Sequence, residues 1–422
     1  MSNNNENKLI PRLRFPEFQH SGEWEVKEVG EIFEITRGYV LPMNLLSKEY
    51  SSDNPYPVYS SQTKNNGLAG YYKDFLYEDA ITWTTDGANA GDVNFRKGKF
   101  YCTNVCGVLI NKEGYSNKCV AELINAVSKK YVSYVGNPKL MNGVMSKIKI
   151  PFPSLPEQQK IAACLSSLDE VIAGERQKLE LLQQHKKGLL QQLFPQEGET
   201  VPTLRFKEFE DSGEWEVKKL GEVYEFKPTN SFSRDCLNYE NGLVKNIHYG
   251  DIHTKFDTLF DISKEKVPFI NPYLPIEKIK EESYCKEGDV IFADASEDLN
   301  DVGKSIEIIN LNNEKVVSGL HTLLARQKEN LLVIGFGGYL FKSEWVRKQI
   351  QKEAQGAKVF GISATRISNV KIKFPKNKSE QQKIASCLSS LDDTINAQTQ
   401  KIELLEQQKK GLLQGLFPME NE

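Results

Sequence analysis

The sequence predicts an α+β chain: two mixed α/β bodies in a pseudo-two-fold arrangement, separated by two long antiparallel coiled-coil helices. Two internal repeats carry this reading. The first opens as Leu155-Pro156-Glu157-Gln158-Gln159-Lys160-Ile161-Ala162 and returns as Ser379-Glu380-Gln381-Gln382-Lys383-Ile384-Ala385. Both copies continue through Cys-Leu-Ser-Ser-Leu-Asp and stay aligned, without a gap, to Leu193-Phe194-Pro195 and Leu416-Phe417-Pro418. The second repeat is a leading motif, residues 11–18 followed by Ser21-Gly22-Glu23-Trp24-Glu25-Val26-Lys27. It returns as residues 202–209 followed by Ser212-Gly213-Glu214-Trp215-Glu216-Val217-Lys218. Each half therefore reads leading motif, variable body, helix. The implied divisions are a first body over 1–153, a first helix over 154–195, a second body over 196–375 and a second helix over 376–422.

The helix assignment rests on heptads. Ile161, Leu165, Leu168, Ile172, Glu175, Leu179, Leu182, Lys186, Leu189 and Leu193 alternate spacings of four and three. The second copy matches with Ile384, Leu388, Leu391, Ile395, Gln398, Ile402, Leu405, Lys409, Leu412 and Leu416. So narrow an apolar seam suits a partner helix better than a globular core. At ~1.5 Å per residue the seam spans roughly 50 Å. Its recurring polar positions, Glu175/Gln398 and Lys186/Lys409, can set register at a cost in stability. Full overlap would put Leu193 opposite Ile384. A shift of one heptad puts Glu175 opposite Lys409 and Lys186 opposite Gln398, and is preferred because it pairs a buried acid with a buried base.

Connectivity adds a constraint. Phe194-Pro195 leads within a few residues into the second leading motif, whereas the first leading motif sits at the other terminus. The halves are equivalent only if the N-terminal segment lies near the end of the second helix. The helices then run antiparallel, with one body at each end.

The bodies read as mixed α/β. Residues 80–84, 101–110, 289–292 and 305–309 have strand composition. Asp86-Gly87, Ala90-Gly91-Asp92 and Lys97-Gly98-Lys99 read as turns. Residues 119–132 and 343–354 read as helices, the latter closing near Gly356. Each body ends in a strand that stops at a proline, over 148–151 and 370–375.

Composition narrows the function classes. A chain of 422 residues accommodates two to three domains. The polar start Met1-Ser2-Asn3-Asn4-Asn5-Glu6 has no signal-peptide core, and the apolar run 331–341 is too short and glycine-rich to span a bilayer. No membrane association is expected. Seven cysteines without a C-x-x-C pair favour a reducing cytoplasm and argue against a zinc ribbon; Cys102 and Cys106 read as strand packing. A net charge of −3 neither announces nor excludes a nucleic-acid partner.

Catalytic motifs are not found. Gly303-Lys304-Ser305 has the tail of a phosphate loop, but Asp298 stands where its first glycine is required. Asn271-Pro272-Tyr273 lacks a proline of the amino-methylating motif, and no glycine-rich cofactor loop precedes it. Gly335-Phe336-Gly337-Gly338 reads as a tight turn or close packing. The five histidines show no paired metal-ligand spacing; His253 is expected on the surface and His321 behind a strand. What remains is polar loop chemistry. The first body offers Gln62, Thr63, Lys64, Asn65, Asn66, Asn89, Arg96, Lys97 and Lys99. The second offers Lys245, Asn246, His248, Tyr249, Ser296, Lys304 and Lys358. Asparagine and glutamine can pair with adenine edges, arginine and lysine with guanine, and lysine with phosphate. Ordinary solvated loops use the same residues, so the doubled layout has to distinguish the two.

That layout resembles the DNA-specificity subunit of Type I restriction–modification enzymes, over essentially the whole chain. The leading motifs and both helix openings match. Residues 85–91, 247–252, 292–298 and 354–361 are similar to family segments. The resemblance implies that each body is a target-recognition domain reading one half of a split site in double-stranded DNA. It implies that the helices set the gap and dock two modification subunits, which carry S-adenosylmethionine and methylate adenine. Two restriction subunits, using ATP and Mg, would complete the complex, leaving this chain non-catalytic and without a cofactor of its own. Glu157, Gln158, Gln159, Glu380, Gln381 and Gln382 are capping-type residues at the helix starts; the resemblance would make them modification-subunit contacts, and both roles stay open. The competing readings are a coiled-coil scaffold without DNA specificity and a self-sufficient methyltransferase, the latter opposed by the missing glycine-rich loop.

Overall fold

The structure, a computed structural model, describes residues 9–61 and 65–418. The chain divides into two compact units, Met1–Gln177 with Gln400–Glu422, and Lys178–Thr399. Each unit thus joins one body to the opening half of its own long helix and the closing half of the other.

The long helices are Leu155–Leu193 and Lys378–Leu416, each of 39 residues. Pro156 stands in the first turn, where its missing N–H costs no intrahelical bond. Both helices end before Phe-Pro, where the pre-proline residue resists helical geometry. Every seam residue from Leu165 to Leu189 and from Leu388 to Leu412 is buried or half-buried. Val171, Leu181 and Leu404, off the seam, are exposed.

Within the first unit the two helix segments run antiparallel. Asp169 pairs with Lys409 at 2.6 Å, Glu175 with Lys401 at 2.5 Å and Arg176 with Glu406 at 2.5 Å. In the second unit Lys186 pairs with Asp392, and Leu193 shares a core cluster with Ile384 and Leu388. This is the full-overlap register, and it overturns the one-heptad shift expected from the sequence. Glu175 lies beside Lys401, next to Ile402, not Lys409. Long polar side chains can bend from the seam to its rim and find partners there. Opposed charges therefore need not set the register, and full overlap buries the most leucine and isoleucine.

The first body is built on a six-stranded sheet in the order Glu34–Arg37, Cys106–Ile110, Tyr77–Thr84, Val93–Cys102, Tyr56–Tyr59, Leu68–Tyr72. All neighbours are antiparallel except Tyr56–Tyr59 on Val93–Cys102. The helix Lys118–Ser128 covers one face, burying Val120, Ala121, Leu123 and Ile124, with Asn117 capping its start. Trp83 lies flat against Gly107, where a Cβ would come within 2.2 Å of the indole. Residues 97–99 are not a turn. They form a bulged part of Val93–Cys102, in which Gly98 at φ +74° donates to the Asp79 carboxylate at 2.7 Å. The closing strand Lys149–Phe152 runs through Pro151 instead of stopping there; it has a single neighbour, Glu25–Glu28, and a proline is tolerated at such an edge.

The second body holds a five-stranded sheet, Tyr224–Lys227, Thr322–Gln327, Val290–Ala293, Ser305–Asn310, Leu259–Asp261. A four-stranded sheet, Leu237–Asn238, Phe269–Ile270, Lys245–Ile247, Val316–Ser318, lies beside it in the chain. Gly335, at φ +95°, starts the short helix Phe336–Leu340, and Gly338 packs so tightly on Leu259 that a Cβ would sit at 2.9 Å. The carboxylate of Glu307 is buried under that helix start and accepts the Gly338 N–H at 2.6 Å. Its other oxygen and the buried Tyr224 hydroxyl have no hydrogen-bond partner among the described residues.

Burial pushes the Glu307 carboxyl up to about 7. An unfolded glutamate titrates near ~4.3, so between these values the folded state holds a proton that the unfolded state has lost. Stability must then fall as pH rises through that window and level off above about 7. Glu307→Gln, which keeps the acceptor and removes the charge, should be the more stable protein at pH 8 by on the order of 3–4 kcal/mol and nearly equal to wild type at about pH 4. Urea unfolding at a series of pH values measures the difference; a pH-independent gap would show that Glu307 ionises normally.

Candidate nucleic-acid interface

Any reading surface must be held against its helix, and both bodies use the same device. In the first, Arg14 donates to both carboxylate oxygens of Glu157, at 2.7 and 2.8 Å, and to the Gly22 carbonyl at 2.6 Å. The Trp24 indole N–H donates to the same carboxylate at 3.2 Å. Gln158 donates to the Pro153 carbonyl at 2.8 Å and accepts from Asn117 at 2.9 Å. In the second, Arg205 donates to Glu380 at 2.8 Å twice and to Gly213 at 2.7 Å, while Trp215 donates to Glu380 at 3.2 Å. Gln381 donates to the Pro375 carbonyl at 2.7 Å and accepts the Val333 N–H at 2.8 Å. Forked, charge-assisted bonds of this kind are the strong ones. Of the six candidate partner contacts, Glu157, Gln158, Glu380 and Gln381 are thus buried and occupied inside their own units; Gln159 and Gln382 are exposed.

The leading motifs also receive the helix ends. The Leu13 N–H donates to the Gly415 carbonyl at 2.8 Å, and the Leu204 N–H to the Gln192 carbonyl at 2.9 Å. Trp24 packs with Leu416 and Phe417, and Trp215 meets Phe194 edge-on at 6.0 Å. The N-terminal segment lies against the end of the second helix, as equivalence of the halves required.

In the first body, Gln62, Thr63 and Lys64 fall outside the described residues. Asn65 and Asn66 are exposed at φ +51° and +52°. Their loop is closed by the Ser60 N–H on the Gly67 carbonyl at 2.8 Å. Gly67 is at φ +85°, with the Ser60 carbonyl 2.7 Å from where a Cβ would stand. Arg96 lies underneath: it donates to the Thr82 hydroxyl at 3.0 Å and the Asn66 carbonyl at 2.7 Å, and its guanidinium lies 3.7 Å over the Tyr59 ring. The structure so brings Asn65, Asn66 and Arg96 together. Asn89 is half-buried in the turn joining Tyr77–Thr84 to Val93–Cys102. Lys97 and Lys99 are exposed past the bulge, away from that turn, with Lys99 over Phe75 at 4.6 Å.

In the second body the candidates separate. Lys245 is mostly covered, on Glu314 at 2.6 Å, and Asn246 is fully buried, accepting from Asn230 at 2.8 Å. His248 caps the helix Tyr249–Thr254 through the Gly250 N–H at 3.1 Å. Its burial, reinforced by the Arg234 guanidinium nearby, lowers its tendency to take a proton. Tyr249 stacks on His248 at 4.6 Å and meets His321 at 5.3 Å and His253 at 6.1 Å. His321 is exposed, 3.2 Å from Asp294, instead of lying behind a strand. His253 is half-buried, 3.0 Å from the Ala295 carbonyl, instead of on the surface. Tyr249 and His253 stand four residues apart on one helix, but sequence reasoning missed that His321 joins them, because it comes from the connection between Val316–Ser318 and Thr322–Gln327, far away in the chain. Ala295–Ser296 pairs with Phe360–Gly361, which sets Ser296 beside the loop carrying the exposed Lys358. Lys304, at the far end of the 296–304 loop, pairs with Asp301 at 2.8 Å. Arg347, not singled out by sequence, holds that loop through the carbonyls of Asn300, Val302 and Gly303 at 2.6–2.9 Å. No group of His, Cys, Asp and Glu among the described residues could hold a metal ion.

The family described as the Type I restriction modification DNA specificity domain matches residues 21–184 and 212–407. The chain belongs to this family. It is similar to the Type I restriction enzyme MjaVIII specificity subunit of Methanocaldococcus jannaschii, at 28% identity over 97% of this chain and 94% of that one. It is also similar to the MpnII specificity subunit of Mycoplasma pneumoniae, at 37% identity over 35% of this chain and 44% of that one. Its fold is that of the Type I restriction–modification S subunit from M. genitalium, with a TM-score of 0.62 at 15% identity over 98% and 100% of the two chains. A chain from a structural study of Type I complex assembly and conformational transition gives a TM-score of 0.54 at 16% identity, over 93% and 97%. The protein is a Type I specificity subunit with two target-recognition domains. Among its described residues no helix is long and apolar enough to cross a membrane.

The lock in each domain can be broken separately. Glu157→Ala leaves the Arg14 fork buried without its counter-charge and should cost about 3–5 kcal/mol in the first unit. Glu380→Ala should do the same in the second. Hydrogen exchange resolves the units: Glu157→Ala should lower protection around Trp24 and Ile161 and leave Trp215 and Ile384 unchanged.

Proposed function

We propose that this specificity subunit reads a bipartite, asymmetric site in double-stranded DNA, one half with each target-recognition domain. The observation that carries the reading is that the two units share one locking device but present different polar surfaces. Asn65 and Asn66, exposed above Arg96, form one surface. Tyr249, Ser296, Lys358 and the histidines around them form the other. Identical anchoring with dissimilar loops is what reading two different half-sequences requires. Loop side chains meet base edges in the major groove, and lysines and arginines hold phosphates in register. The long helices act as the spacer. A seam of roughly 50 Å suits half-sites about one helical turn apart, as in other two-headed readers.

The subunit in this reading binds and does not catalyse. Two modification subunits carry S-adenosylmethionine and methylate adenine, which is exposed to them by flipping. Two restriction subunits supply ATP- and Mg-dependent cleavage. Gln159 and Gln382, exposed at the helix starts, are available to the modification subunits where their buried neighbours are not. The complex would work in the cytoplasm.

Replacing residues 24–150 with the corresponding body of another specificity subunit should change one half of the methylated sequence and leave the other half and the gap unaltered. Adenine methylation mapping in cells carrying the modification subunit reads this directly. A change in both halves would refute the modular reading, and methylation unaffected by deleting the chain would favour a scaffold.

A further inference from the structure

Beneath the Asn65–Asn66 loop lies a cavity of about 170 Å³, lined by Ser60, Thr82, Thr84, Asn94, Asn125 and Arg96. Arg96 is 8% exposed. A guanidinium offers five N–H donors, yet the protein acceptors here are one hydroxyl and one carbonyl, Thr82 and Asn66. Arg96 makes no ion pair with any described residue. The other charged group lining the cavity, Asp92, is held by Lys129 at 2.8 Å. The intervening segment Gln62-Thr63-Lys64 contains no acid. A buried charge is costly unless it is paired, so a counter-charge from outside the chain is the missing partner.

The form of the site says what fits. Tyr59 covers one face of the guanidinium at 3.7 Å, so Arg96 offers its N–H edge, the geometry that takes an oxyanion. The Ser60 hydroxyl accepts from Thr103 at 2.9 Å, which leaves its own proton free to donate into the cavity. Asn94 and Asn125 add neutral polar groups. We propose that this cavity is an anion subsite that receives a backbone phosphate oxygen of the bound DNA, with Arg96 as its counter-ion. The same guanidinium holds the Asn66 carbonyl at 2.7 Å, so phosphate docking also sets the base-reading loop relative to the strand it reads. This rests on the DNA-reading function proposed above. It adds a defined position for one phosphate.

Two measurements separate the site from that function. The first is thermal unfolding of the full chain in sodium sulfate against sodium chloride at matched ionic strength, for wild type, Arg96→Gln and Arg96→Lys, with hydrogen exchange on wild type. Sulfate stabilises many proteins by exclusion, so the comparison with Arg96→Gln is the readout. The wild type should gain more in melting temperature than Arg96→Gln, with Arg96→Lys between them, and exchange should slow at residues 57–61 and 93–96. An equal gain in all three overturns the site. Should Arg96→Gln fail to fold, wild-type exchange that slows elsewhere and not at these residues overturns it equally. The second is the salt dependence of DNA affinity in the assembled complex. Loss of one phosphate contact should reduce the slope of log K against log salt by about 0.9 in Arg96→Gln, for every first half-site sequence tested. A sulfate effect with an unchanged DNA slope overturns the phosphate assignment. A wild-type complex that binds no DNA overturns the parent function, while the sulfate arm still decides the cavity.

Discussion

The structure depends on two buried ion pairs, Arg14 with Glu157 and Arg205 with Glu380. Each carboxylate is 0–1% exposed and receives a guanidinium fork and an indole N–H. Removing such charges from water is unfavourable unless every bond is made. The pair therefore forms only when leading motif and helix start are both in place. It ties the leading motif to a helix start more than 130 residues away in the chain. A device that specific explains why the motif residues recur while the body between them is free to vary.

The long helices follow a different logic. Their seam is narrow and interrupted by charge, yet Glu175, Lys186 and Lys409 all find partners at its rim: Lys401, Asp392, and Asp169. Flexible stems make these pairs tolerant of position, whereas leucine packing is not. The helices align to bury the apolar residues, and the charges accommodate the result. Within each unit the packed seam sets the pairing, and the rim charges keep the rest of the helix surface wet.

The recognition domains hold loops through arginines that lie against the loop backbone. Arg96 holds the Asn66 carbonyl and Arg347 holds three carbonyls of the 300–303 segment. A loop pinned through its backbone leaves its side chains free to point outward. The two domains reach this end on different elements, a strand in the first and the helix Glu344–Glu353 in the second. Shared anchoring with divergent surfaces is the common theme at both scales.

Sequence alone determined the repeats, the two long helices, their antiparallel relation and the family, because heptad spacing and duplicated motifs are local patterns that survive without knowledge of contacts. It also indicated the polar loops, though it counted Lys245 and Asn246 as surface groups when strand pairing turns them inward. Tertiary structure decided the rest. Register was settled by the summed burial of the seam, which no single pair of charges reveals. The roles of Glu157 and Glu380 were settled by arginines and tryptophans far away in the chain. The meeting of Tyr249 with His321, and the lone charge of Arg96 under its loop, exist only once the fold has brought distant residues within a few ångströms. Burial and pairing are properties of that arrangement, and they decide whether a charged side chain acts as a lock, a support or a contact.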